Sequence, residues 1–385
     1  QTDVADHVLK MLFGAMDELR LGNPWHLSTD VGPVIDAAAR DKIVEHCRRM
    51  TEQGRVLKTL RVPADGLFVA PTVIELDGIE QLEEEIFGPV LHVARFAAAD
   101  IDAVVDAVNA QGYGLTFGMH TRVDSRVERV VKRIHVGNIY INRNQIGAVV
   151  GTQPFGGEGL SGTGPKAGGP WYLPRFTAAP MQLAEPAPST AVTRLAVEAL
   201  VAKARHLRAS RQPVDEDLLR RIARLQGLDW RVESILGMET MPGPTGETNQ
   251  LSAHPRGVVL CLGPGREALL AQALTALAQQ NRVVMIDADG AELAALLAAE
   301  GLPVTGADGR IDADYLRELE GMDAVMSQAS TEILRDYRIA LADRQGRLLP
   351  LICESGAVSR LVVERHLCID TTAAGGNASL IASVS

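Results

Sequence analysis

The sequence predicts an α/β protein of two domains, on three observations. Segments with apolar residues at spacings of three and four alternate with short extended runs, the pattern of a parallel or mixed sheet flanked by helices. The 385 residues are 46% apolar and only 4% aromatic, a composition usual for a soluble α/β chain with core enough for two domains. Finally, Leu183-Ala184-Glu185-Pro186-Ala187-Pro188-Ser189-Thr190 has linker composition. The boundary is placed across residues 183–193, between domains of residues 1–182 and 194–385.

Val4, Val8, Leu12, Ala15, Met16 and Leu19 make residues 3–20 an amphipathic helix, with Asp3 as cap and Gly22 as stop. A second helix covers 37–53 and ends at Gly54. Residues 55–62 and 66–74 read as strands, 100–109 as helix, 115–121 as extended, 125–134 as helix and 137–142 as strand. Residues 143–170 break this rhythm: glycine and proline are dense and no period survives, and such a long loop in a compact domain is usually functional. After the linker, 194–210 and 217–225 read as helices and 257–262 as a buried strand. That strand runs through Gly263-Pro264-Gly265 into an alanine-rich helix over 267–280, and 283–286 is the next strand. Gly-Pro-Gly between strand and helix could cradle a phosphate, but it lacks the third glycine of a dinucleotide fingerprint and reads first as a tight turn.

A net charge of −10 argues against a nucleic-acid partner, and the basic residues of 202–224 read as a solvated helix face. No run of about 18 apolar residues occurs, so no transmembrane segment is expected. The absence of a leader pattern makes the cytoplasm the expected compartment, and a start at Gln1 suggests a fragment or processed product. Cys47, Cys261, Cys353 and Cys368 lack CxxC spacing, which suits reduced thiols rather than disulfides or a zinc site. Cys47 stands at helical core spacing between Ile43 and Met50.

Glu83-Glu84-Glu85 taken alone reads as an exposed acidic helix end. With Ile86-Phe87-Gly88-Pro89 after it and Pro71-Thr72 before it, it resembles the aldehyde dehydrogenase superfamily, as does Gln153-Pro154-Phe155-Gly156-Gly157. The resemblance implies that Glu85 accepts hydrogen bonds from the nicotinamide ribose of NAD and that Phe87 packs near the nicotinamide ring. Both roles suit the residue types, since a carboxylate can accept from both hydroxyls of a vicinal diol and an aromatic ring is an apolar stop for a flat heterocycle.

A narrower likeness runs through Gln145-Ile146-Gly147-Ala148-Val149-Val150-Gly151 and from Phe155 to Pro170. It is similar to the glutamate semialdehyde dehydrogenase domain of the bifunctional proline utilisation A flavoenzymes. This resemblance implies that the backbone amides of Gly147 and Ala148 anchor the substrate's α-carboxylate and that Phe155 lines the aldehyde pocket. Glycine lets backbone approach an anion closely. An ordinary glycine-rich surface loop is the competing reading.

The implied reaction is oxidation of L-glutamate γ-semialdehyde to glutamate with reduction of NAD, through attack by a cysteine thiolate and hydrolysis of a thioester. Nucleophile, oxyanion-hole asparagine and general-base glutamate are expected upstream of Gln1. No catalytic residue and no metal ligand is therefore assigned here, and this chain alone is not expected to turn over. FAD would belong only to the absent proline dehydrogenase part. The missing N-terminal part of the same enzyme and further copies in a homo-oligomer are the implied partners.

The second domain is implied to be a Rossmann-like, aldehyde-dehydrogenase-like domain following a catalytic-domain portion. Residues 257–285 resemble the superfamily's own cofactor domain, and the stretch from Leu341 to Gly356 resembles the segment that ends in its general base. Glu354 would be that base by analogy, but no nucleophile context follows, so it reads as a structural remnant of a non-catalytic copy. The segment from Thr371 to Leu380 resembles the C-terminus of the longer proline utilisation A proteins and could seal a channel between active sites. Two rivals stand beside this reading: a scaffold protein with an inactive dehydrogenase fold, and an aldehyde dehydrogenase of other specificity.

Overall fold

In a computed structural model the structure describes residues 1–177, 181–207, 214–231 and 234–372, which leaves most of the 371–380 segment outside the described residues. Two compact units are present, residues 1–111 and 112–385.

The first unit carries α1 (Thr2–Asp17), α2 (Ala37–Glu52), β1 (Val56–Thr59), β2 (Thr72–Leu76), β3 (Val90–Ala94) and α3 (Ile101–Ala110). Its sheet has the order β1-β2-β3, with β1 antiparallel and β3 parallel to β2. Asp3 lies inside the first turn of α1 instead of capping it, and that helix stops at Glu18, short of Gly22. The true cap is on α2, where the Asp36 carboxylate accepts the Ala39 N–H at 2.7 Å. The strand expected over 66–74 is shifted to 72–76, because Gly66 is left-handed (φ 107°) and Pro71 has no N–H to pair. Strand β3 was not anticipated.

The second unit opens with β4 (Tyr113–Gly114), β5 (Thr116–Met119), α4 (Asp124–Val131), β6 (Asn138–Ile141) and β7 (Glu158–Gly159). It continues with α5 (Arg194–His206), α6 (Glu216–Leu225), β8 (Gly237–Met241), β9 (Glu247–Pro255), β10 (Val258–Cys261), α7 (Arg266–Ala278), β11 (Arg282–Asp287) and α8 (Gly290–Ala299). Then follow β12 (Val304–Asp308), α9 (Tyr315–Glu318), β13 (Ala324–Met326), α10 (Thr331–Ala342), β14 (Leu351–Ile352) and β15 (Val362–Asp370).

Strands β10 to β14 form an all-parallel sheet in the order β12-β11-β10-β13-β14. Counted from β10, this is the 3-2-1-4-5 winding of a Rossmann-like domain. Apolar clusters cover both faces: Leu219, Leu269 and Leu274 pack on one side, and Val197, Leu316 and Leu334 on the other. Such two-sided burial explains why Val258–Cys261 reads as a continuous apolar run.

The other large sheet has the order β5-β6-β15-β9-β8. β5, β6 and β15 are parallel, whereas β9, which follows β8 as the second strand of an antiparallel hairpin, runs antiparallel to β15 over nine paired residues. Residues on both sides of 183–193 therefore share one sheet. The segment 183–193 is itself tied to the second unit by bridges from Ala184 to Ala329 and from Ala191 to Arg310, while packing divides the chain between Gln111 and Gly112.

Candidate active site

In the first unit, Glu85 and Phe87 lie on the irregular segment that leads into β3. Glu84 is paired with Lys42 at 2.7 Å, but Glu85 is exposed and has no partner among the described residues. Phe87 is 82% exposed, a large apolar ring left bare. The segment is held from behind, since a Cβ on Gly88 would lie 2.5 Å from Ile43 of α2.

In the second unit the loop of residues 143–156 springs from the end of β6. Asn142 makes the turn in the left-handed region (φ 60°), and its side chain accepts the Thr121 N–H at 2.9 Å. Gly147 and Gly151 are also left-handed, at φ 72° and 80°, and a Cβ on either would meet nothing within 4 Å. Glycine is required at both for conformation rather than for space. The Ile146 N–H is taken by Asn144 Oδ1 at 3.2 Å and the Val149 N–H by Gln153 Oε1 at 3.2 Å. Between them, the N–H groups of Gly147 and Ala148 have no acceptor among the described residues. Two successive free amides flanked by satisfied ones can receive one anion.

Phe155 sits at the far end of this loop, half-buried, and exchanges two backbone hydrogen bonds with Ala167, at 3.0 and 2.8 Å. Asn138 of β6 grips its neighbours: Nδ2 donates to the Pro154 carbonyl at 2.9 Å, and Oδ1 accepts the Gly156 N–H at 3.1 Å. Lys166 completes the clamp, its Nζ donating to Asn138 Oδ1 at 2.9 Å and to the Gly156 carbonyl. The lysine is 2% exposed, and burial pulls its pKa down to about 7 despite Glu364 and Glu158 nearby. Neither Asn138 nor Lys166 stood out in the sequence, although a lone lysine in a glycine-rich run was a usable signal.

All four thiols are pushed above their ordinary pKa, in each case chiefly by burial, Cys368 to about 11. None is a poised thiolate. Burial works to raise Glu354 as well, but Arg360, its backbone hydrogen bonds and Arg175 outweigh it and hold the carboxyl below its usual value. An anion bound to two arginines and to the Cys353 N–H at 3.0 Å has no free lone pair suited to a base. At the Gly263-Pro264-Gly265 turn the Gly265 N–H is held by Asp287 Oδ2 and the Gly263 N–H by Gln272 Oε1, so these donors are occupied from within. No three His, Cys, Asp or Glu side chains converge as a metal site among the described residues, and no helix there is long and apolar enough to cross a membrane.

The family model described as "Aldehyde dehydrogenase family" matches residues 1–180. The chain is 40% identical to the bifunctional protein PutA of Escherichia coli (strain K12) over 99% of its own length and 30% of that protein's. It is 42% identical to the 1-pyrroline-5-carboxylate dehydrogenase of Bacillus cereus (strain B4264) over 44% of this chain and 33% of that one. The solved structure of proline utilization A from Corynebacterium freiburgense superposes with a TM-score of 0.57 at 20% identity, covering 94% of this chain and 34% of that one, which speaks for the fold. The chain thus spans about 30% of the length of the PutA protein it matches. Residues 1–180 thus carry an aldehyde dehydrogenase family segment.

Proposed function

We propose that this chain is part of an NAD-dependent L-glutamate γ-semialdehyde dehydrogenase within a bifunctional proline catabolic enzyme, and that it contributes the substrate-anchoring loop and the ribose-binding motif. The observation that carries this reading is the pair of free amides at Gly147 and Ala148, enclosed by amides already bonded to Asn144 and Gln153. They suit a carboxylate, and Phe155 of the same loop, whose neighbours Pro154 and Gly156 are held by Asn138 and Lys166, suits an apolar wall for the aldehyde chain. Relatives named for PutA and for 1-pyrroline-5-carboxylate dehydrogenase support the substrate class.

The residues present fit NAD in part: the unpartnered Glu85 carboxylate would hold the ribose hydroxyls, and the bare face of Phe87 would limit the nicotinamide. When bound, NAD accepts the hydride that oxidation of the aldehyde releases. The nucleophile would come from residues outside this chain, consistent with four thiols all raised by burial. On this reading residues 1–182 are the back part of the dehydrogenase domain, 183–193 a linker and 194–385 a non-catalytic copy in which Glu354 is structural.

The test is a comparison of aldehydes by the full-length enzyme. Glutamate semialdehyde is expected to be preferred over butanal, which lacks the α-carboxylate, by about 100-fold or more in kcat/KM, since unpaired polar groups penalise the wrong ligand. Equal rates would remove the assignment. For the cofactor, Glu85→Ala is expected to raise the KM for NAD about tenfold, the worth of a hydrogen bond to a charged group. Its melting temperature should stay within about 1 °C, because an exposed, unpartnered side chain contributes little to stability.

A further inference from the structure

Nothing between Asn144 and Gly151 is buried, and Ile146 and Val150 are 85% and 93% exposed, so apolar packing does not order the loop that carries Gly147 and Ala148. Besides its own turn bonds, from the Thr152 and Gln153 N–H groups to the Val149 carbonyl at 3.1 and 2.8 Å, the loop is tied to the sheet by one carboxylate supplied more than ninety residues further along the chain. Glu247 opens β9, and its side chain lies on the same face of the sheet as Asn249 and as Tyr140 and Cys368, which pair across β6 and β15. Glu247 Oε2 accepts from Arg143 Nη1 at 2.9 Å. Its Oε1 accepts from Gln153 Nε2 at 2.9 Å and from Asn249 Nδ2 at 2.8 Å. Arg143 and Gln153 are the two stems of the loop, and both reach Cys368 as well, at 3.2 and 3.5 Å.

We propose that Glu247 is the positioning residue of the substrate-carboxylate loop, stapling its two stems so that the amides of Gly147 and Ala148 stay aimed at the ligand. The link to those amides is direct. With Nε2 held by Glu247, the Gln153 side chain presents Oε1 to the Val149 N–H, which fixes the peptide that follows Ala148. Without the carboxylate, both stems keep only the weak thiol acceptor of Cys368, so Gln153 is held less firmly and the loop samples conformations that do not bind. The ligand must then supply the ordering entropy, which weakens binding without touching the chemical step.

The inference rests on the proposed role of this loop, and the experiment separates the two. The full-length enzyme carrying Glu247→Ala is assayed with glutamate semialdehyde, butanal and NAD, alongside wild type and Glu247→Gln. The expected result is a rise of tenfold or more in the KM for the semialdehyde, with kcat, the KM for NAD and the rate on butanal within about twofold. Hydrogen exchange over 144–152 should be faster, and that of β10 to β13 unchanged. Glu247→Gln, which keeps an acceptor for Gln153 but not the charge for Arg143, should give a smaller rise, and it decides the matter should the alanine variant not fold. An unchanged KM for the semialdehyde, or equal losses on both aldehydes, would overturn the proposal. If wild type itself does not prefer the semialdehyde, the role of the loop fails; if it does and both variants keep the preference, only the role of Glu247 fails.

Discussion

Gly137→Ala is expected to destabilise the second unit by about 3 kcal/mol or more and to abolish aldehyde oxidation by the full-length enzyme. A Cβ on Gly137 would lie 1.9 Å from the Gly156 carbonyl oxygen and 2.9 Å from Lys166 Nζ. Neither side can give way. The Gly137 N–H is bonded to the Gly114 carbonyl at 2.9 Å and its own carbonyl to the His366 N–H at 2.8 Å, which pins it between β4 and β15. Gly156 is pinned by Asn138 and Lys166. The chain can relieve the clash only by opening the clamp behind Phe155, so stability and function are lost together. Gly14→Ala is the control: this helical glycine has nothing within 4 Å of its Cβ position, and alanine there should stabilise by up to about 1 kcal/mol. Denaturant midpoints of the two variants check the contrast, and equal midpoints would refute the steric argument.

Acid is expected to unfold the second unit as pH falls from about 6.5 towards 4. His366, fully buried, and His254, half-buried, are both held down to about 4, chiefly by burial. Lys166 and Arg143 press His366 further down against the pull of Glu247, as Arg365 and His135 do to His254 against Glu158. With folded pKa values below the unfolded value of about 6.5, the unfolded chain binds more protons across this window, so stability is lost as pH drops through it. For His366 the loss is on the order of 3 kcal/mol; for His254 it is less, because solvent screens a half-buried ring. Lys166, held down to about 7, has the same sign on the alkaline side: stability rises further from there towards about 10, where the unfolded lysine deprotonates. Glu364, raised by burial, works in the opposite sense in the acid window, one group against the two histidines. Melting of the full-length protein from pH 4 to 9 should show a steep acid limb, flattened in His366→Leu. A midpoint equal at pH 4.5 and 6.5 would refute this.

What could be read from the chain depended on how its apolar residues are spaced. Helices α1, α2, α3 and α7 were legible to within a few residues, because one-sided burial leaves a period in the sequence and all-round burial, as in α7, an almost unbroken apolar run. Strands β8, β9 and β15 were not. Glu247, Asn249 and Arg365 put polar groups where a strand pattern calls for apolar ones, and they do so because that part of the sheet buries hydrogen-bonded side chains rather than an oily face. The site divides the same way. Glu85, Phe87, Gly147, Ala148 and Phe155 stand within short motifs whose chemistry is local, whereas Asn138, Lys166 and Glu247 act on residues 10 to 104 positions away and leave no local mark.

The order of residues thus carried the α/β class through periods and turns confined to a few neighbours, and the Rossmann-like second half and the dehydrogenase motifs through the resemblance of short local stretches. Folding in three dimensions supplied the rest. It set β15 between β6 and β9, closed a carboxylate over both stems of a loop that has no core of its own, and buried a lysine against the segment that carries Phe155. Side-chain hydrogen bonds between distant segments follow from which strands meet, and strand pairing over such separations is settled by packing of the whole sheet, not by any stretch of sequence read alone.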